Sequence, residues 1–315
     1  MVPLAAGILA AAFSVHAQDV FPSRPITLVA PFPAGSVTDS VTRVLAQALQ
    51  ESLGQTVVVD NKAGAQGTVG AAYVARARPD GYTLLVASSG MFVAKSFYKT
   101  LPYEPADVTL ISGVGSTSMM FMVAENSPIR TVADLARAVQ QEKPAVTMAY
   151  GSPSGQVAVA LFSTVTRSNP VPVSYRGIPQ ALTDLGGGHV QVAVVDLGSG
   201  VAQMHSSRMR AVAISAAARS AAAPDVPTLQ EVFPGASGSI ETIIALIGPA
   251  GMPAPVVEKL DTAIRTALAR PEVKARFAAL TTAVLPLSTS EMVQRIKVDN
   301  PKWEALMKKA GIEPQ

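Results

Sequence analysis

The sequence has no cysteine, which excludes disulfide bonds, thiolate catalysis and zinc sites built on cysteine. Histidine is nearly absent as well, because the chain contains only His16, His189 and His205. Three separated histidines offer little material for a histidine-dependent catalytic triad or a multi-histidine metal site. We therefore expect neither a metal nor another cofactor.

Aromatic residues make up 5% of the chain and charged residues 15%, with a net charge of +3 and no long basic run. These values argue against base-stacking and phosphate-binding surfaces, so no nucleic-acid partner is expected. Apolar residues make up 49% of the 315 residues, enough for one large core or two ordinary ones. The composition is that of a globular protein that handles small molecules.

Motifs of nucleophilic and nucleotide chemistry are missing too. The stretch GSPSG (Gly151–Gly155) lacks the G-x-S-x-G spacing of a nucleophile elbow, and GAQGTVG (Gly64–Gly70) lacks the dinucleotide-binding fingerprint. No G-x-x-x-x-G-K-[ST] phosphate loop occurs. We therefore predict that the protein is not an enzyme.

The N-terminal segment VPLAAGILAAAFSV is apolar but too short to span a bilayer comfortably. Small residues at Val15 and Ala17 suit signal-peptide cleavage, so residues 1–17 are predicted to be a signal peptide and the mature chain to begin near Gln18. No Lys or Arg precedes the apolar core. The alternative is a buried N-terminal helix, which Gly7 disfavours. We expect export.

Apolar strand-like runs alternate with segments of helical periodicity, first from Ile26–Ala30 to the run YTLLVASSG and again after Pro128. Such alternation is typical of parallel sheets covered by helices. Two sets predict an α/β protein with two lobes around a cleft, and open α/β sheets bind ligands at the carboxyl ends of their strands. Near the C-terminus we expect a helix around Ser290–Asp299, and a new helical run beginning at Asn300-Pro301.

The loop APFPAGSVTD (Ala30–Asp39) joins the first strand to a helix with a regular apolar repeat. The free N–H groups of a first helical turn, together with the helix dipole, suit a carboxylate without Lys or Arg. Gly35 permits close backbone approach, and Ser36 and Thr38 add hydroxyl donors. The alternative is a well-capped helix with rigid turn chemistry, and the loop alone does not separate the two.

Five segments occur in order: FPSRPITLVAPFPAGSVTD, VVVDNKAGAQGTVGAAYVARARPDGYTLLVASSG, PVSYRGIPQALTDLGGG, APDVPTLQE and GPAGMPAPVVEKLDTAIRTAL. Together they resemble the solute-binding receptors of tripartite tricarboxylate transporters, the Bug family, over essentially the whole mature chain. The resemblance implies a two-lobed periplasmic binding protein of type II, in which each lobe is a mixed β-sheet flanked by helices and the ligand lies in the interlobe cleft. It also implies that a small carboxylate (a di- or tricarboxylate, an amino acid or an aromatic acid) is bound mainly by backbone amides, hydroxyls and water.

Carried over by position, the resemblance implies a binding loop at Pro31–Asp39, a second contact after the third strand, and further contacts from loops of the second lobe. The candidate ligand-binding residues are Phe32, Ala34, Gly35, Ser36, Val37, Thr38, Asp39, Ser88, Ser89, Tyr150, Ser152, Gly155, Gln156, Tyr175, Gly177 and Asp196.

Several neighbouring features have plain structural interpretations beside the functional ones. Ser88-Ser89-Gly90 is also typical of a polar strand end, and Asp196 is also typical of a cap for a loop at Gly198-Ser199-Gly200. Arg176 is able to clamp a carboxylate, but a solvated surface arginine is the preferred interpretation. Asn61–Gly70 is interpreted as close packing, because no following Lys makes it a phosphate loop.

We predict lobe 1 at residues 18–122 plus 238–315 and lobe 2 at 123–237, with the chain crossing near Met120–Ala124 and Gly235–Ile243. Lobe closure over the ligand is expected without catalysis, in a monomer. The expected partners are the membrane permease subunits of a tripartite tricarboxylate-type transporter. The alternative is a solute sensor that feeds a two-component kinase, which the sequence does not separate from transport.

Overall fold

The computed structural model describes residues 21–141, 144–206, 208–234 and 238–314, so the predicted signal peptide lies outside the described residues. The strands are β1 Ile26–Ala30, β2 Val57–Asn61, β3 Thr83–Ser88, β4 Val108–Ala124, β5 Thr147–Tyr150, β6 Val171–Ser174, β7 Val192–Asp196, β8 Met209–Ile214, β9 Glu241–Pro249 and β10 Ala283–Val284. The helices are α1 Val37–Leu53, α2 Thr68–Ala75, α3 Val132–Gln140, α4 Pro153–Thr166, α5 Ile178–Gly186, α6 Leu197–His205, α7 Leu229–Val232, α8 Ala254–Ala269, α9 Pro271–Ala279 and α10 Thr289–Lys309. Within the described ranges, no helix is both long and apolar enough to cross a membrane.

The strands form two sheets of the same design, which share β4. In the first sheet the order is β2-β1-β3-β9-β4, with β1 parallel to β2 and β3 and with β9 antiparallel to both of its neighbours. In the second sheet the order is β6-β5-β7-β4-β8, with β5 parallel to β6 and β7. We call the elements on the first sheet the first lobe and those on the second sheet the second lobe.

Strand β4 passes from one lobe to the other without a break. Its residues up to Ser118 pair with β9, whereas the residues from Met119 onward pair with β7 and β8. The strand is buried at the crossing, because Met119, Met120 and Met122 are at most 1% exposed. A continuous strand therefore forms the base of the interlobe cleft.

Each sheet carries its own core, and α10 contacts both. In the first lobe, α1 and α8 pack on β1 through residues such as Leu45 and Ile264. In the second lobe, Phe162 of α4 packs on β5 and β7. Met292, early in α10, packs against β9, whereas Trp303, later in the same helix, belongs to the core around α4. The C-terminal helix thus spans the two lobes.

Helix boundaries follow their sequence signals closely. Gly54 ends α1 in the left-handed conformation, with φ of 65°, and its N–H donates to the carbonyl of Gln50. Thr131 caps α3, because its hydroxyl accepts the N–H of Asp134 while the Asp134 carboxylate accepts the Thr131 N–H.

Two local predictions are wrong. Helix α10 continues through Pro301, where the sequence predicts the start of a new helical run. A proline removes one intrahelical hydrogen bond, and the turns that follow it are held by the buried side chain of Trp303. Gly198-Ser199-Gly200, predicted as a loop, lies in the first turns of α6, because the Asp196 carboxylate accepts the Ser199 N–H and caps that helix.

Candidate functional site

A cavity of ≈ 40 Å³ lies between the lobes, beyond the carboxyl ends of the parallel strands. This is where open α/β sheets bind ligands. The lining residues are Phe32, Pro33, Ser36, Val37, Thr38, Ser88, Thr117, Met119, Gly151, Ser152, Ser154, Gly177, Ile178, Asp196, Thr242 and Ile244. The walls are therefore the starts of α1, α4, α5 and α6, and the floor is formed by β4 and β9.

The start of α1 supplies main-chain donors to the cavity. Ser36 is the N-cap, and its hydroxyl accepts the N–H of Asp39 at 3.2 Å, while its carbonyl accepts the N–H of Ser40 at 3.0 Å. Within the described part of the chain, the N–H groups of Val37 and Thr38 have no acceptor. Such unpaired first-turn amides carry the positive end of the helix dipole and favour an anion.

Asp39 lies beneath the α1 loop and holds it in shape. One carboxylate oxygen accepts the Gly35 N–H at 3.0 Å and the Arg43 Nε at 3.1 Å, and the other accepts the side-chain amide of Asn61 at 2.8 Å. Burial opposes ionisation of this carboxyl, but the hydrogen bonds from Arg43, Asn61 and Gly35 outweigh it and hold its pKa below the ordinary value. Asp39 therefore supports the loop from behind.

The second lobe presents further helix starts to the same space. Ser152 caps α4, and its hydroxyl accepts the N–H of Gly155 at 3.2 Å, which leaves the Ser154 amide as a donor since Pro153 has none. Gly177 precedes α5 without any side-chain cap. The α1 helix of the first lobe thus faces helix starts of the second lobe across the cavity.

Three buried hydroxyls around the cavity have no hydrogen-bond partner among the described residues: Ser88 Oγ, Thr117 Oγ1 and Ser154 Oγ. Buried polar groups in native proteins are nearly always paired, because an unpaired one costs about 1–3 kcal/mol. Three such groups around one cavity indicate that a polar molecule completes their hydrogen bonds when it is bound.

The residues that form the floor of the cavity are not among the candidates predicted from the sequence. Thr117 of β4 and Thr242 of β9 lie directly opposite each other in the sheet register, flanked by Met119 and Ile244. The available signal is a hydroxyl residue inside each of two apolar strands, TSMMFMV and ETIIALI. Because the strands are distant in sequence, that signal gains meaning only when they are paired.

Asp196 is the one ionisable side chain in the cavity lining. It is 8% exposed, and one oxygen accepts the Ser199 N–H at 3.1 Å. Burial raises its pKa above the ordinary value, against the opposing effect of the hydrogen bonds from Ser199. Among the residues that line the cavity there is no Lys, Arg or His, so any anion bound there is stabilised by dipoles and hydroxyls.

Half of the candidate residues line the cavity: Phe32, Ser36, Val37, Thr38, Ser88, Ser152, Gly177 and Asp196. The others lie elsewhere: Ala34, Gly35, Asp39, Ser89, Tyr150, Gly155, Gln156 and Tyr175. Ser89 is bound to the backbone of β9, where its hydroxyl accepts the Ile243 N–H at 2.6 Å. Tyr150 is 2% exposed in the core of the second lobe.

Tyr175 points to its own lobe. Its hydroxyl donates to the Asp184 carboxylate at 2.6 Å, and this hydrogen bond, with a smaller effect of burial, raises the pKa of Tyr175 to about 12. Arg176 is exposed, as the preferred interpretation has it. Ala34 is exposed as well, and Gly35, with φ of 83°, borders an outer groove rather than the cavity. The sequence pattern does not encode the direction of the Tyr175 side chain or of the Gly35 N–H, which donates to Asp39.

The lobes are closed over the cavity. A Cβ placed on Gly90 of the first lobe would overlap the ring of Pro153 at the start of α4. A Cβ on Gly177 of the second lobe would lie 3.0 Å from Pro33. At another point of contact, the Gln66 side-chain amide donates to the Ser174 hydroxyl at 3.1 Å. The walls therefore meet around the site, and glycines permit two of these approaches.

Two α/β lobes joined by a continuous strand and closed over a cavity at their strand ends define a solute-binding protein. The model of the tripartite tricarboxylate transporter family receptor matches residues 41–312, and the chain belongs to this family.

Solved structures agree with this assignment. The periplasmic binding protein BugD is 32% identical, with a TM-score of 0.85, over 94% of this chain and 100% of BugD. Rpa4515 of R. palustris, solved with adipate, is 28% identical, with a TM-score of 0.88, over 94% and 100% of the two chains. MatC (Rpa3494) from Rhodopseudomonas palustris, solved with bound malate, is 27% identical, with a TM-score of 0.84, over 91% and 99%.

These relationships confirm the predicted fold, an α/β two-lobed periplasmic binding protein with mixed sheets flanked by helices. They also confirm the predicted class of function. The protein is a solute-binding receptor of the tripartite tricarboxylate transporter type and not an enzyme. Its family assigns it to the periplasm.

Proposed function

We propose that this receptor captures a small organic carboxylate in the cavity between its lobes and delivers it in the closed form to the membrane permease of its transporter. The observation that carries the proposal is the set of unpaired hydroxyls, Ser88, Thr117 and Ser154, around a cavity walled by helix N-termini. Hydrogen-bond donors and helix dipoles suit a carboxylate, and no basic side chain lines the cavity to compete for that role. The relatives solved with adipate and malate support the same ligand class.

The ligand contacts in this proposal come from both lobes. The amides of Val37 and Thr38 receive one carboxylate from the first lobe, and Ser154 with the start of α5 receives it from the second. Asp196 faces the ligand as an acceptor, which suits an amino or hydroxyl group on the acid. Ligand binding then favours the closed arrangement, because only that arrangement makes both sets of contacts.

We also propose that the protein is exported and that its lobes move about a hinge. Residues 1–17 are the signal peptide, the lobe boundaries lie near residues 122 and 238, and the receptor works as a monomer. The crossing of β4 between Ser118 and Met119 supports a hinge at the first boundary. The closed lobes would equally suit a sensor that signals to a kinase. A ligand-dependent complex with the permease subunits, and none with a sensor kinase, distinguishes the two.

A thermal-shift panel tests the ligand class. The receptor is first unfolded and refolded to remove retained ligand, and is then melted with dicarboxylates, tricarboxylates, amino acids and the corresponding amides. Ligand at one hundred times its dissociation constant stabilises the native state by about 2.7 kcal/mol, which is visible as a higher melting temperature. At least one acid is expected to stabilise the protein, and its amide is not. Stabilisation by amides and not by acids would contradict the proposal.

A further inference from the structure

A large groove lies directly outside the ligand cavity. It measures ≈ 1080 Å³, opens to solvent, and runs between the start of α1, the end of α9 and the helices α5 and α6. Two residues, Val37 of α1 and Ile178 of α5, line both the groove and the inner cavity. They therefore form the partition between the two spaces, with one side chain contributed by each lobe.

The partition is apolar and tightly supported. Val37 is 8% exposed and Ile178 is 7% exposed. Behind Val37, a Cβ on Gly198 of α6 would lie 3.0 Å from a Val37 methyl group and 2.7 Å from the carbonyl oxygen of Leu280. The absence of a side chain at Gly198 lets α6 close against the first lobe at this point, so Val37 has little room to move away while the lobes are closed.

The inner cavity is small for the proposed ligand class. Its ≈ 40 Å³ has room for about three water molecules, which is fewer heavy atoms than malate or adipate contain. A ligand of that size must displace lining side chains. Thr117 of the floor also borders another open groove, but it lies in the paired backbone of β4 and β9. Val37 and Ile178 separate the cavity from the first groove by side chains alone, so movement of these two side chains opens space for the ligand most directly.

We infer that Val37 and Ile178 set the length of the acid that the receptor accepts. This inference rests on the proposed function. One carboxylate lies at the helix N-termini of the inner cavity, and the rest of the molecule ends at the partition. Each methylene beyond that length pushes against two buried side chains of a closed interface, and a methylene in an apolar pocket changes affinity by about tenfold or more.

The test measures binding of two matched series by calorimetry. The acids are malonate, succinate, glutarate, adipate, pimelate and suberate, and the neutral series contains the corresponding diamides. Val37→Ala, Ile178→Ala and the double variant are compared with the native protein. Ile244→Ala is the matched control, because Ile244 is a buried isoleucine that lines the inner cavity but not the groove. Circular dichroism and thermal melting confirm that each variant folds.

In the native protein, affinity is expected to fall sharply once the diacid exceeds a certain chain length. The partition variants are expected to lose that upper limit, binding pimelate and suberate at least about tenfold more tightly than the native protein does. Ile244→Ala is expected to keep a limit, moved by no more than about one methylene. If the longest diacid bound tightly is the same for Ile178→Ala and Ile244→Ala, the partition does not set ligand length. The carboxylate proposal would be unaffected by that result.

The proposed function fails separately. If the native protein binds diamides and no acid, the carboxylate proposal is wrong, and the length limits within the diamide series still judge the partition. If neither series binds to the native protein or to any variant, the length-setting role of Val37 and Ile178 is overturned, and the thermal-shift panel, which also contains tricarboxylates and amino acids, judges the carboxylate proposal on its own.

Discussion

The main-chain N–H of Gly35 donates to the carboxylate of Asp39 at 3.0 Å, so the glycine amide of the α1 loop is used inside the loop itself. The same carboxylate accepts from Arg43 and Asn61. The carboxylate that fixes this loop therefore lies outside the cavity lining. The loop presents Ser36, Val37 and Thr38 because Asp39 fixes its backbone from the opposite side.

Asp39→Asn is expected to lower both stability and ligand affinity. The amide cannot accept from all three donors at once, and loss of buried hydrogen bonds to a charged group costs about 1–3 kcal/mol. The pKa of Asp39 is lowered in the fold, so its contribution is complete above its ordinary value of 3.8 and is lost as the pH falls through the lowered value.

Urea unfolding from pH 7 to pH 2 checks this expectation. Asp60→Asn is the control, since Asp60 is half-exposed and pairs with Lys62 on the adjacent surface. An Asp39→Asn variant as stable as the control at pH 7 would show that the loop does not depend on this carboxylate.

Gly90→Ala is expected to hinder lobe closure. The added methyl group would overlap the rigid ring of Pro153 across the interface, and overpacking of this kind costs about 1–3 kcal/mol. Since the cost falls on the closed state alone, ligand affinity should drop about 5–150-fold while the isolated lobes stay folded. Calorimetry measures the affinity, and small-angle X-ray scattering with saturating ligand measures the degree of closure.

Gly186→Ala provides the comparison, because a Cβ there meets only the end of the Met209 side chain at 3.6 Å. Native affinity in Gly90→Ala, with the same compact scattering profile, would mean that the lobes close differently when ligand is bound.

Asp196→Asn is expected to remove a pH dependence. Because burial raises the pKa of Asp196 in the folded state, its charged form opposes folding at neutral pH, and the native protein gains stability as the pH falls through the raised value. The variant should lack that gain and be the more stable protein at pH 7. It should also bind simple diacids at least as tightly as the native protein does and bind amino acids more weakly.

Thermal melting and calorimetry from pH 8 down to the ordinary carboxyl pKa of 3.8 measure both effects, with the exposed Asp225→Asn as control. Parallel pH profiles in native protein and Asp196→Asn would assign Asp196 a capping role alone. A variant that binds diacids and amino acids with unchanged affinities would lead to the same conclusion.

The sequence carries most of the fold and about half of the site. Local signals are strong where a residue acts on its own neighbours, as Gly54 does at the end of α1 and Thr131 does at the start of α3. The strand-end loops were found because each lies directly after an apolar run. Thr117 and Thr242 were missed because their meaning depends on pairing between strands distant in sequence.

The direction in which a side chain points is the second property of the site that the sequence does not predict. Tyr175 and Asp39 both lie in the predicted binding loops. The Tyr175 hydroxyl, however, donates to Asp184, and the Asp39 carboxylate accepts the Gly35 N–H of its own loop. Either side chain is able to form hydrogen bonds toward the cavity or toward its own lobe. The tertiary position of their partners decides which side is used, and that position is not encoded in a local pattern.

The most direct measurement is calorimetric binding of one acid and its amide to the native receptor, to Ser154→Ala and to Ser163→Ala. The Ser154 hydroxyl is buried in the cavity lining and has no hydrogen-bond partner within the described ranges, whereas Ser163, on the same helix, donates to the carbonyl of Val159. Dipoles and hydroxyls that hold a carboxylate predict tight binding of the acid, weak binding of the amide, and a loss of about tenfold or more for the acid in Ser154→Ala alone. Equal affinities for acid and amide, or equal losses in the two serine variants, would contradict the account.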